Sequence, residues 1–136
     1  MFIGEINADL KRAKEAFESA ERNLKAGDYF TAANRVFVAC ENAVYVMLKL
    51  KFGSSTISRF KIITKLKDID KEAKEAYDES YDLRVQADYG RKANIFPLTN
   101  ENVEDALKKV RSILQKVESL ARKKNDGQEA KLLREE

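Results

Sequence analysis

The sequence predicts an all-α protein: an up-and-down antiparallel four-helix bundle with a short extra helix between the second and third long helices. Three observations carry this. Apolar residues recur at spacings of three and four through most of the chain, the period of a helix with one buried face. Glycine and proline are scarce, 5 and 1 in 136 residues, so few turns punctuate the chain. No stretch alternates apolar and polar residues with the period of two that a half-buried strand needs. A chain of this length forms one domain and can bury a core without disulfides or metal.

Leu10, Ala13, Phe17, Ala20 and Leu24 place one apolar stripe on a first helix, from about Glu5 to Ala26. Gly27 suits the position just past that helix, and Asp28 suits the cap of the next. The second helix, Tyr29 to Lys51, carries two adjoining seams. One is Phe30, Ala33, Phe37, Cys40, Val44 and Met47; the other is Val36, Ala39, Ala43, Val46 and Leu50. A helix buried over so wide an arc belongs at the centre of a bundle. Gly53-Ser54-Ser55-Thr56 ends it. Ser58 caps a short helix holding Phe60, Ile63 and Leu66, and Asp70 caps its successor. An unbroken helix from Arg59 to Gly90 would outrun its neighbours by about 10–15 Å, so a break is needed there.

The third long helix starts at Lys71. Its seam, Ala73, Ala76, Ser80, Leu83 and Ala87, is mostly small, which lets another helix backbone come close. Tyr77, Tyr81, Arg84 and Asp88 run along the edge of that seam, and Gly90 terminates the helix. Arg91 to Pro97 reads as a connector. Thr99 caps the fourth long helix, with Leu98 and Val103 placed as a hydrophobic staple. Val103, Ala106, Val110, Ile113, Val117 and Leu120 form its seam. Arg122-Lys123-Lys124 suits the C-terminal end of the helix dipole. Asn125-Asp126-Gly127 reads as a turn, so the bundle is assigned to residues 1–124 and a charged tail to 125–136.

The composition excludes several kinds of chemistry. There is no histidine and a single cysteine, Cys40. That rules out Ser-His-Asp and Cys-His arrangements and Cys/His zinc sites. There is no Walker A pattern or glycine-rich phosphate loop. Carboxylate pairs such as Asp68/Asp70 and Glu135/Glu136 read as surface or caps, and none of the four seams carries an acid. No metal and no cofactor is expected. The net charge of +3 is only mildly basic. One cysteine suggests a reduced compartment. Met1 to Asn7 shows no signal-peptide features, and no apolar run is long enough to span a bilayer. A cytoplasmic protein with no membrane partner is expected, and the Lys/Glu-rich composition points towards a thermophile.

The polar residues left to consider are few. Arg84 and Asp88 are i,i+4 neighbours, and Arg is a planar fork suited to carboxylate or phosphate. Spacing alone favours an ordinary ion pair with Tyr89 covering the helix end. On the second helix, Arg35 lies between two buried seams, near Asn34, Glu41 and Asn42. It must reach solvent, an acid, a ligand or a second subunit. Cys40 reads as core, and Tyr77 and Tyr81 as packing at a helix–helix or subunit contact. Lys61/Lys65 and Lys108/Lys109/Arg111 read as solvated faces, because no aromatic interleaving marks them as an RNA surface.

Two motifs together resemble a known family. Gly27-Asp28-Tyr29-Phe30-Thr31-Ala32-Ala33-Asn34-Arg35-Val36-Phe37-Val38-Ala39-Cys40, followed about fifty residues later by Leu83-Arg84-x-x-Ala87-Asp88-Tyr89-Gly90, is similar to the HEPN domain (higher eukaryotes and prokaryotes nucleotide-binding). The likeness is greatest to small stand-alone prokaryotic and archaeal members, and extends to about Arg122. It implies an up-and-down helical bundle and a homodimer, often encoded beside a minimal nucleotidyltransferase as a toxin–antitoxin pair. Many members are metal-independent RNases with an Arg-x4–6-His motif facing across the dimer cleft. Arg84 matches that Arg, and Tyr89 stands where the His could fall. The helix-two motif that often ends Ala-x-Phe-His-Ala has Glu41-Asn42 in place of Phe-His. Near the site of a further usual His stand Ser58 and Arg59.

The resemblance therefore implies a HEPN protein without imidazole catalysis. It would be a homodimer that partners a minimal nucleotidyltransferase and binds nucleotide or RNA through Arg84, Asp88 and Tyr89, with Arg35 and Asn42 as further contacts. Tyr89 would be the residue modified by such a partner. The alternatives are a metal-independent RNase toxin using Arg84, Asp88 and Tyr89, and a non-catalytic scaffold bundle.

Overall fold

The computed structural model describes residues 3–56, 58–90 and 97–135. Among them are five helices and no strand: α1 (Ile3–Lys25), α2 (Tyr29–Phe52), α3 (Arg59–Ile69), α4 (Lys71–Tyr89) and α5 (Asn100–Glu135). The fold is all-α, and α3 is the short extra helix. Of the connector assigned to Arg91–Pro97, all but its last residue lies outside the described residues.

The helix ends are set by the residues that the sequence marks. Gly27 turns the chain with φ of 80°. Asp28 then accepts hydrogen bonds from the Thr31 amide (3.1 Å) and the Thr31 hydroxyl (2.6 Å), satisfying a donor that the first turn of α2 leaves open. Gly53 closes α2 at φ 81°, its N–H donating to the Lys49 carbonyl at 2.9 Å. Asp70 serves two helices. Its extended backbone (φ −160°, ψ 100°) ends α3, while its carboxylate accepts from the Ala73 amide at 3.0 Å and starts α4. The Thr99 hydroxyl oxygen accepts from the Asn102 amide at 3.1 Å and caps α5.

The two apolar seams make α2 the most enclosed helix, and it packs against α1, α4 and α5. Val36, Ala39, Cys40, Ala43, Val44 and Leu48 are completely buried. α3 lies on α4. The small seam of α4 faces α2: Ser80 is buried, its hydroxyl donating to the Tyr77 carbonyl at 3.2 Å, and Cys40 of α2 is buried too. Burial pushes the Cys40 thiol up to about 12.

Four details of the apolar pattern differ from the sequence reading. Phe30 is 61% exposed. It lies two turns before Phe37 on the same face, level with the last turn of α4, where the neighbouring helix runs out. In α3 the buried pair is Ile62 and Leu66, and Phe60 is 80% exposed. Arg59 is drawn over the Tyr81 ring, and the residue after it points about 100° away around the helix. On α5, Ala121 is buried and Leu120 is 42% exposed. A straight helix repeats its angle after five turns, or about 18 residues, so Ala121 and not Leu120 returns to the direction of Val103. Finally, α5 runs straight through Asn125-Asp126-Gly127. That triplet disfavours helix by only about 1 kcal/mol at the glycine, and the Glu, Ala, Lys, Leu and Arg that follow favour it.

One acid does enter the interior. Asp9 on α1 is buried, ion-paired with Arg12 one turn on and with Lys49 of α2 at 2.6 Å. The seam reading passed over it because Asp9 sits beside the Leu10–Ala13–Phe17 stripe and not in it. Arg12 Nε also donates to Asn42 Oδ1 at 3.3 Å, so α1 and α2 share a polar tie within an apolar contact.

The Asp70 cap makes a pH-dependent prediction. Burial raises its carboxyl, but the Lys116 hydrogen bond (2.7 Å) and the amides of Ala73 and Glu72 outweigh this and hold it below 3.8. A carboxyl lowered by folding stabilises fully above its unfolded value, and that contribution is lost as pH falls through its folded value. Asp70→Ala should cost about 1–2 kcal/mol in urea denaturation at pH 7. The gap to wild type should shrink steadily below the ordinary aspartate range.

Candidate functional site

The site is built on Phe37. Its ring is buried against α4, with centroid distances of 5.7 Å to Tyr77 and 5.6 Å to Tyr81. The Arg84 guanidinium carbon lies 5.1 Å from the same ring centroid. Spacings of four and three along α4 put Tyr77, Tyr81, Arg84 and Asp88 on one edge, so a single α2 side chain touches three of them. The aromatic face gives Arg84 a floor that holds its stem and attracts its charge.

Arg84 keeps much of its charge in water. Its side chain is 42% exposed, and its nearest acid, Asp88, is 46% exposed with Oδ2 3.6 Å from Arg84 Nε. A single long contact between two solvated groups holds weakly. Glu41 of α2 faces Arg84 across the helix pair. Burial raises its carboxyl above the ordinary range, against the opposing pull of the Arg84 charge and a hydrogen bond from the Tyr45 hydroxyl. Tyr89 stands 63% exposed at the end of α4. Gly90 follows at φ 55°, its N–H donating to the Gln86 carbonyl while Gln86 Nε2 donates back to the Gly90 carbonyl at 2.8 Å. This reciprocal pair fixes where the helix stops and hence where Tyr89 projects.

A second arginine joins this face. The Arg59 guanidinium carbon lies 3.8 Å from the Tyr81 ring centroid and 6.0 Å from that of Tyr77. One terminal nitrogen is 3.5 Å from Asp78. Its Nε is buried and has no hydrogen-bond partner among the described residues. Burial pushes the Tyr77 hydroxyl up to about 12, with the Glu41 charge adding to the shift. The Asp82 carboxyl is also raised by burial, against the pull of Arg59. The sequence offered one signal for Arg59: it is a cation at the first position of a helix, where the dipole disfavours positive charge. Such a residue must be held by something else, here the tyrosine faces and Asp78.

Arg84, Asp88 and Tyr89 come together as the sequence places them. Arg35 and Asn42 do not join them. Asn42 is buried at the α1 contact, accepting from Arg12 and donating to the Val38 carbonyl at 2.9 Å. Arg35, two turns earlier on the same face of α2, is half-buried with no ion pair among the described residues. The face that carries Arg84 is the one with Phe37 and Glu41, roughly 100–160° around the helix. As for what the arrangement can do, two guanidinium groups on aromatic floors can hold an anion. Without histidine, the side chain whose unperturbed pKa lies nearest neutrality is missing from the site.

The Glu41–Arg84 coupling can be measured directly. In wild type the Glu41 carboxyl should titrate above the ordinary glutamate range in a carboxyl-carbon NMR titration. Arg84→Ala should raise it further, because the opposing positive charge is gone.

Comparison with protein families matches residues 7–120 of this chain to the HEPN domain. No curated protein matches it. The match spans α2, α3 and α4 in full and includes both the Phe37 floor and the Arg84–Gly90 segment. The chain belongs to the HEPN domain family.

Proposed function

We propose that this HEPN protein binds the phosphate of RNA or a nucleotide at the Arg84 end of α4 without cleaving it. In this reading it is a homodimer of up-and-down helical bundles, in a cytoplasmic toxin–antitoxin-like pair with a minimal nucleotidyltransferase. One observation carries the binding site: Arg84 is fixed on the Phe37 ring, with Glu41 facing it from α2, and its one ion pair among the described residues is a long, solvated contact to Asp88. A phosphate can replace that contact at little cost, since exposed ion pairs contribute about 0–1 kcal/mol. Until phosphate binds, Asp88 holds the guanidinium at the helix end, and the exposed Tyr89 ring stacks on a base or presents its hydroxyl to the partner enzyme. The lack of histidine favours binding or modification over hydrolysis. Arg35 and Asn42, two turns apart on one face of α2 with Asn42 at the α1 contact, are not gathered with Arg84 within one protomer, and the proposed phosphate contact does not use them.

The scaffold reading also has a specific observation in its favour, the Arg84–Asp88 pair itself. Anisotropy titration of a labelled oligoribonucleotide separates the two. Arg84→Ala should weaken binding roughly tenfold to a hundredfold, the worth of one charge-assisted phosphate contact. No binding by wild type would leave the scaffold, and equal affinity in wild type and mutant would put any binding site away from Arg84. Metal-independent cleavage by wild type that disappears in Arg84→Ala would establish an RNase instead. Intact mass of the chain co-expressed with a neighbouring nucleotidyltransferase should show a nucleotidyl adduct that Tyr89→Phe removes.

A further inference from the structure

From residue 42 to residue 67 the chain has no Asp or Glu, but it has six cations: Lys49, Lys51, Arg59, Lys61, Lys65 and Lys67. Outside this stretch acidic groups outnumber basic ones, so the whole positive excess of the protein is concentrated here. Lys49 turns inward to Asp9 and Arg59 lies on Tyr81. The other four, Lys51, Lys61, Lys65 and Lys67, form no ion pair among the described residues. Two aromatic rings nearby lie outside the core, and Lys65 is the cation placed against one of them; Lys51 shares a cleft with Asp68 and Asp70, and Asp68 is itself exposed on α3. Phe60 stands 80% exposed on α3, and Phe52, 47% exposed, ends α2 with the Lys65 ammonium 5.1 Å from its centroid.

We infer that the corner formed by the end of α2 and the outer face of α3 is a platform for single-stranded nucleic acid. Phe60 and Phe52 stack on bases, and Lys51, Lys61, Lys65 and Lys67 meet the phosphates. The combination of exposed aromatic rings with cations outside any ion pair among the described residues is what sequence-tolerant single-strand binding uses. An acidic protein would satisfy the charge but not the rings. Protein interfaces gather apolar residues at their centre and exclude lysine from it, whereas here lysines separate two isolated phenylalanines. The platform also continues the site already described, since Arg59, which sits on the Arg84 stripe, is the residue before Phe60. The inference deepens the proposed function and rests on it for the direction of the strand: from Arg84 past Arg59 onto α3.

The test is an anisotropy salt series with three probes: a labelled single-stranded 12-mer RNA, the same sequence as a duplex, and an oligoglutamate of equal length. Phe60→Ala should weaken single-strand binding about tenfold and leave duplex binding unchanged, because paired bases offer no face. Lys61→Gln/Lys65→Gln should flatten the slope of log K against log salt by about 1.4, two phosphate contacts' worth. A charge-matched control, Lys11→Gln/Lys123→Gln, should keep the wild-type slope. Circular dichroism confirms that each variant is folded. Wild-type affinity in Phe60→Ala, equal slopes in the two lysine pairs, oligoglutamate competing as well as RNA, or no RNA binding by wild type would each overturn the platform. Arg84→Ala is titrated alongside. Loss there with none in the α3 variants sinks the platform and leaves the proposed function; the reverse supports the platform and removes the Arg84 reading.

Discussion

Phe37 is the contact on which the position of the site depends. It is 2% exposed, and its ring meets Tyr77, Tyr81 and Arg84 of α4 at once. Two demands meet at this side chain. The wide apolar arc of α2 requires burial, and the ring at its edge requires aromatic or cationic neighbours with good geometry. α4 answers with small residues at its seam, which bring the backbones close, and with a tyrosine–tyrosine–arginine edge that folds over the ring. Arg84 is thus positioned by core packing, although its charged end is solvated. Arg59 repeats the arrangement one layer out, on Tyr81.

The protein contains two kinds of ion pair, and the difference between them separates architecture from site. Asp9 is buried and held by Arg12 and Lys49, so stripping away its partners would leave an uncompensated charge inside the protein. That pairing ties α1 to α2 and has no freedom to serve a ligand. Arg84 and Asp88 are each close to half exposed and 3.6 Å apart, and water already competes for both. Only the second pair can exchange its partner readily. No helix among the described residues is long and apolar enough to cross a membrane.

The helices were legible because their signals are local. Asp28, Ser58, Asp70 and Thr99 cap where short polar side chains meet open amides, and Gly27, Gly53 and Gly90 take the positive φ that other residues avoid. The Tyr77–Tyr81–Arg84–Asp88 edge was legible from its spacing. What escaped was set by rotation and by distance in sequence. Period counting cannot tell Leu120 from Ala121 until the drift of a straight helix is included. It also chose Phe60 over Ile62 in α3, because a short helix takes its rotation from one contact, here Arg59 on Tyr81. Asp9 was missed because its partner Lys49 lies forty residues away. Lys61 and Lys65 looked like a plain solvated face in the sequence. The aromatic rings that change their meaning come from the rotation of α3 and from the end of α2.

In a HEPN-family chain with no histidine, the proposed contact of Arg84 with nucleic-acid phosphate can be read at a single resonance. The most direct measurement is an NMR titration of the arginine Nε–Hε resonances with a nuclease-resistant oligoribonucleotide. Arg84 Nε–Hε should shift first and saturate with the bound fraction, and with unmodified RNA the oligomer's phosphorus signals should move without new cyclic-phosphate or phosphomonoester peaks. An unmoved Arg84 resonance at saturating RNA would contradict the proposed contact.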